Sequence, residues 1–95
     1  MRLPQFQANF LKQGLLTLEP TSEVYLFGSR ALTRERGGDI DILWLTPTKV
    51  PQSRLRALRV AFFQEFGWQK LDIVNFCFSE EAPFKQIALQ QAVRL

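Results

Sequence analysis

The 95 residues suffice for one domain, and a 46% hydrophobic fraction with nine phenylalanines and two tryptophans suits a packed globular core. Twelve basic against nine acidic residues leave a net charge of +3, which suits an anionic ligand, but the basic residues are scattered and no direct DNA binding is expected. One cysteine and no histidine exclude a disulfide within this chain and a zinc site of the usual Cys/His kind, so a metal here would need oxygen ligands, which points to Mg²⁺ or Mn²⁺.

Gln5 to Leu18 places Phe6, Phe10, Leu11 and Leu15 at helical spacing and predicts a helix, broken by Glu19-Pro20-Thr21-Ser22. Glu23 to Phe27 reads as a strand running into Gly28-Ser29-Arg30, followed by a charged loop from Thr33 to Gly38. Asp39 to Leu45 is a second strand, closed by Thr46-Pro47-Thr48. Pro51 and Ser53 mark the start of a helix that runs to about Phe66 and ends at Gly67, with Leu55, Leu58, Phe62 and Phe66 on one face. Arg54, Arg56 and Arg59 point in different directions on that helix and read as a solvated surface. Val60 and Phe63 lie off its apolar stripe. Together with Trp44 and Trp68 they either widen the core or meet a partner.

Lys70 to Phe76 is a third strand, and Cys77 beside it reads as a small buried side chain rather than a nucleophile. Glu80 and Glu81 read as acids complementing the dipole of a last helix, which starts near Ala82-Pro83 and carries Phe84, Ile87, Ala88 and Leu95 on one side. The order helix, strand, strand, helix, strand, helix predicts an α/β domain, a small mixed β-sheet with helices packed on it. No apolar run approaches the roughly 20 residues that span a bilayer. The start, Met1 to Phe10, lacks a signal-peptide core, so a cytoplasmic protein without membrane contact is expected.

Chemistry concentrates in the acids. Strand side chains alternate, so Asp39 and Asp41 project from one face about 7 Å apart, and their repulsion is a liability that a divalent cation would resolve. The competing reading is two solvated aspartates at an exposed strand end. Two neighbours favour the first reading. Gly28 lets a phosphate approach the backbone, where N–H groups and the Ser29 hydroxyl could hold triphosphate oxygens, although Gly-Ser is also an ordinary turn dipeptide, and Arg30 could pair with phosphate or simply cap the turn. Asp72 is the lone acid of an otherwise apolar strand, which a metal-binding or proton-transfer role would explain, as would a salt bridge.

Gly28-Ser29-Arg30-Ala31, then Gly38-Asp39-Ile40-Asp41-Ile42-Leu43, then Asp72 resembles the minimal nucleotidyltransferases (MNT) of the DNA polymerase beta-like superfamily. The resemblance covers most of the chain. It implies a palm-like nucleotidyltransferase fold filling residues 1–95 as a single domain. It further implies triphosphate binding at Gly28, Ser29 and Arg30, and two Mg²⁺ ions held by Asp39, Asp41 and Asp72, with Asp72 also helping to deprotonate the attacking hydroxyl. A glycine precedes the first aspartate where serine is common in that family. Many MNT proteins pair with a helical HEPN toxin, and the resemblance implies transfer of AMP from ATP to a tyrosine of such a partner. Two alternatives stay open: an antitoxin that only masks its partner, and a transferase acting on RNA or a small-molecule hydroxyl.

Overall fold

The chain's periodicities become four strands and three helices in the computed structural model, which describes residues 3–28 and 39–95. Helix α1, Gln5–Leu18, buries Ala8, Leu11 and Leu15. Strand β1 is Glu23–Phe27 and alternates in burial. Strand β2, Ile40–Thr46, is buried at every residue but Asp41. A 3-10 turn at Gln52–Leu55 leads into α2, Arg56–Phe66, which Gly67 closes at φ 83°. Strand β3 is Leu71–Cys77, helix α3 Pro83–Gln91, and a short strand β4 Val93–Arg94.

The sheet has the order β3-β2-β1-β4. Strands β2 and β3 are parallel, joined by the long crossover through α2 that parallel pairing requires, whereas β1 runs antiparallel to both β2 and β4. Apolar residues on both faces of β2 follow from its interior position between two layers. One face, with Val24, Leu26, Ile42, Trp44 and Ile73, packs under α1 and α2. The other, with Leu43 and Leu45, is covered by Ala88 and Leu89 of α3. A Cβ on Gly14 would lie 2.4 Å from Leu58 Cδ1, so the glycine allows α1 and α2 their close approach.

Several expectations need correction. Strands β2 and β3 each start one residue later than expected, at Ile40 and Leu71. Helix α3 stops at Gln91, so Leu95 is not on it. Val93 and Arg94 instead pair with Leu26 and Tyr25, and Leu95 N–H donates to Val24 O at 2.9 Å. On α3 the inward face carries Lys85 and Ala88, while Phe84 and Ile87 stand 51% and 60% exposed. Lys85 can turn inward because its ammonium donates to the carbonyls of Cys77, Phe78 and Glu80 at 3.0, 2.7 and 2.9 Å, which satisfies the charge as its stem is buried.

Glu80 does not serve the α3 dipole. Its carboxylate accepts Cys77 N–H at 3.1 Å and Lys49 Nζ at 3.3 Å, and the backbone hydrogen bond holds it below its ordinary pKa with Lys49 in support. Arg59 is not merely solvated. Its guanidinium donates to Leu71 O and to Gln52 Oε1, tying α2 to the outer side of β3. Trp44 is wholly buried and Phe63 packs on the core, whereas Val60 and Trp68 are exposed. Cys77 is half-buried. Among the described residues no helix is long and apolar enough to cross a membrane.

Candidate active site

The starts of β2 and β3 and the end of β1 meet at one end of the sheet. Phe27, the last residue of β1, pairs with Asp41, and Asp41 pairs with Asp72. Ile40 N–H donates to Lys70 O at 2.9 Å and locks the two strand starts in this register. In-register neighbours share a face, so Asp41 and Asp72 project side by side from strands about 4.8 Å apart. Asp39 precedes Asp41 by two residues on the same face. Leu43 and Leu45 continue that face inward beneath α3. The three acids therefore stand on the α3 side of the sheet, beyond its apolar cover.

Asp41 is half-buried and Asp72 is exposed. The cost that a buried, unpaired aspartate would carry therefore does not arise at Asp72. Among the described residues no lysine or arginine forms an ion pair with it. Asp41 has its pKa raised, first by burial and then by the charges of Asp72 and Asp39, with Lys70 opposing. Lys70 Nζ lies 3.6 Å from Asp39 Oδ2, both side chains being well exposed. Sequence reasoning missed Lys70. The available signal was its position two residues before Asp72, which puts it on the acidic face of an extended run.

Gly28 follows β1 at φ 76°, and a Cβ there would sit 2.6 Å from Asp41 Oδ2. The turn thus folds against the Asp41 carboxylate, with room that only a glycine leaves. Ser29 and Arg30 lie outside the described residues. The groove between α1 and α2, lined by Phe6, Phe10, Gly14 and Leu58 among others, is on the opposite face of the sheet and has no ionisable lining residue.

Among the described residues no group of three or more His, Cys, Asp or Glu side chains is gathered tightly enough to form a closed metal-binding cluster. The backbone supplies the prior condition: three carboxylates on one face, mutual repulsion focused on Asp41, and an all-oxygen donor set. These features fit a hard divalent cation such as Mg²⁺.

Residues 9–95 match the family model of the nucleotidyltransferase domain. No curated protein matches the chain. Among solved structures, the chain is similar to a chain of the complex of a tri-AMPylated Shewanella oneidensis HEPN toxin with MNT antitoxin. There the TM-score is 0.68 at 22% identity, covering 95% of this chain and 69% of that one. A toxin–antitoxin structure with AMP-PNP gives a TM-score of 0.70 at 24% identity over 90% of this chain and 69% of that one. The toxin–antitoxin MntA-HepT gives 0.67 at 21% identity over 96% and 70%. At these identities the structural likeness establishes the shared fold, and the domain model spans all the described strands, so the chain belongs to the nucleotidyltransferase domain family.

Proposed function

We propose that this protein is a Mg²⁺-dependent nucleotidyltransferase that transfers AMP from ATP to a tyrosine hydroxyl of a HEPN toxin, and so acts as its antitoxin. One domain over residues 1–95 would carry the site, working in the cytoplasm where ATP and the partner are available. The observation that carries this reading is the register of Asp41 with Asp72, with Asp39 on the same face and Gly28 closing against Asp41. Membership of the nucleotidyltransferase domain family supports the reaction class. Two solved neighbours support this choice of acceptor and nucleotide: one complex contains an AMPylated HEPN toxin and another contains AMP-PNP.

In this reading Asp39, Asp41 and Asp72 would hold two Mg²⁺ ions, which would supply positive charge to the triphosphate and to the pyrophosphate leaving group. The remaining work belongs to side chains and backbone. Gly28, with Ser29 and Arg30 following in sequence, receives the triphosphate where no Cβ intervenes. Asp72, the most exposed of the three acids, faces solvent, from which the acceptor approaches, and takes the hydroxyl proton on a carboxylate oxygen. The tyrosine oxygen forms a bond to the α-phosphorus as the bond from that phosphorus to the bridging oxygen breaks, and pyrophosphate leaves with that oxygen. Rate acceleration comes chiefly from positioning and charge stabilisation.

The test is incubation of the purified chain with ATP, Mg²⁺ and a HEPN partner, with mass spectrometry of the partner. AMP on a partner tyrosine, lost in Asp39→Asn and Asp41→Asn, is the expected result. An unmodified partner that is nevertheless neutralised would establish masking instead. Label on RNA or a small molecule, with none on protein, would move the acceptor.

A further inference from the structure

We propose that Lys70 is a phosphate-binding residue that exchanges partners during substrate loading: it neutralises Asp39 in the free protein and moves to a phosphate oxygen of the metal-bound triphosphate. This rests on the nucleotidyltransferase reading of the site.

Three observations carry it. Lys70 Nζ lies 3.6 Å from Asp39 Oδ2, on the face that carries Asp41 and Asp72. The other two ion pairs of the described residues, Lys49 with Glu80 and Arg94 with Glu23, involve none of the three acids. Finally, the backbone of Lys70 is fixed while its head is held only by an exposed ion pair: its carbonyl accepts Ile40 N–H at 2.9 Å, and its side chain is 60% exposed.

A cation bound by Asp39 takes the place of an ammonium at the same carboxylate. The exposed Lys70–Asp39 pair is screened and easily opened, so a divalent ion can displace it. The freed ammonium stays within a side chain's reach of the site, because its backbone is hydrogen-bonded to β2. A triphosphate arriving with the metal brings more negative charge than the three acids can neutralise through that metal alone. Lysine serves such a phosphate as a compact point charge on a flexible stem. One residue thus weakens binding of the bare metal and strengthens binding of the metal–nucleotide complex. A purely structural lysine would shift both affinities in the same direction.

The experiment compares the parent chain with Lys70→Gln, Lys70→Arg, Asp41→Asn and, as a net-charge control on α1, Lys12→Gln. Mn²⁺ binding without nucleotide is followed by the electron paramagnetic resonance of the free ion at low ionic strength. Binding of AMP-PNP with Mg²⁺ is followed by calorimetry. In Lys70→Gln, Mn²⁺ binds about 2- to 5-fold tighter, the range open to an exposed ion pair, and the difference shrinks as salt is raised. In the same variant Mg²⁺–AMP-PNP binds about 10-fold weaker, the scale of one charged hydrogen bond. Lys70→Arg returns both affinities toward the parent, and Lys12→Gln changes neither. Affinities in Lys70→Gln that are unchanged, or that shift in the same direction, overturn the proposal while leaving the metal site intact. Failure of the parent to bind Mn²⁺, or undiminished binding in Asp41→Asn, overturns the nucleotidyltransferase reading and this inference with it.

Discussion

Asp41 carries the electrostatic cost of the site. Its pKa is raised in the folded chain, so the unfolded state holds its proton less tightly at mildly acidic pH. The stability this linkage gives is therefore complete below the ordinary aspartate pKa and is lost as pH rises through the raised one. At neutral pH and without divalent cation, Asp41→Asn should raise Tm by roughly 2–4 °C, a step of under 1 kcal/mol for a domain of this length. The gain should vanish in scans run well below pH 4. Added Mg²⁺ should stabilise the parent and not the variant, and an equal Mg²⁺ response in both would remove Asp41 from the metal site. Gly28 makes a second prediction at this scale. Alanine there must adopt φ 76° and meet Asp41 Oδ2, so Gly28→Ala should cost about 1–2 kcal/mol in urea unfolding. Transfer should fall further than stability alone explains, because the displaced carboxylate is a proposed metal ligand.

At the scale of elements, what the sequence made legible divides by the kind of signal. Helix α1, strand β1 and the end of α2 at Gly67 were readable because each has a local cause: apolar spacing, β-branched and aromatic content, a positive-φ glycine. The acids of β2 and β3 were readable as a pair of motifs, but only the sheet register shows that Asp41 and Asp72 are neighbours. The inward face of α3 was not readable, since Lys85 turns in through carbonyls contributed by the preceding turn, and apolar periodicity cannot see those acceptors. Strand β4, two residues long, exists because β1 has an open side to pair with, a tertiary cause with no local signature.

The opposite edge shows how side chains finish a sheet. Strand β3 ends the sheet on its other side, and the backbone carbonyls of Leu71 and Ile73 are taken by Arg59 and by Gln52 Nε2, the latter at 3.0 Å. Unpaired strand edges invite association. Arg59→Ala should thus cost about 1–3 kcal/mol and produce concentration-dependent oligomers in gel filtration. A variant as stable and monomeric as the parent would show that the edge needs no such guard.

Across the whole molecule, folding and the proposed chemistry use different parts of the same sheet. The core forms on the two apolar layers, under α1 and α2 on one face and under α3 on the other, while the acids stand outside both layers at the strand starts. None of the three contributes a hydrophobic contact, and their mutual repulsion opposes folding. It follows that Asp39→Asn/Asp41→Asn/Asp72→Asn together should keep the circular dichroism spectrum and melt no lower than the parent. The same triple variant should lose AMP transfer by about 10³-fold or more, since it removes the charge stabilisation on which the reaction depends. It also decides between the two antitoxin readings, because the surface outside the acidic end is left intact. Co-expression with a HEPN toxin supplies the measurement. Restored toxicity despite a complex that still co-purifies ties neutralisation to AMP transfer, whereas continued neutralisation shows that occupying the partner is enough.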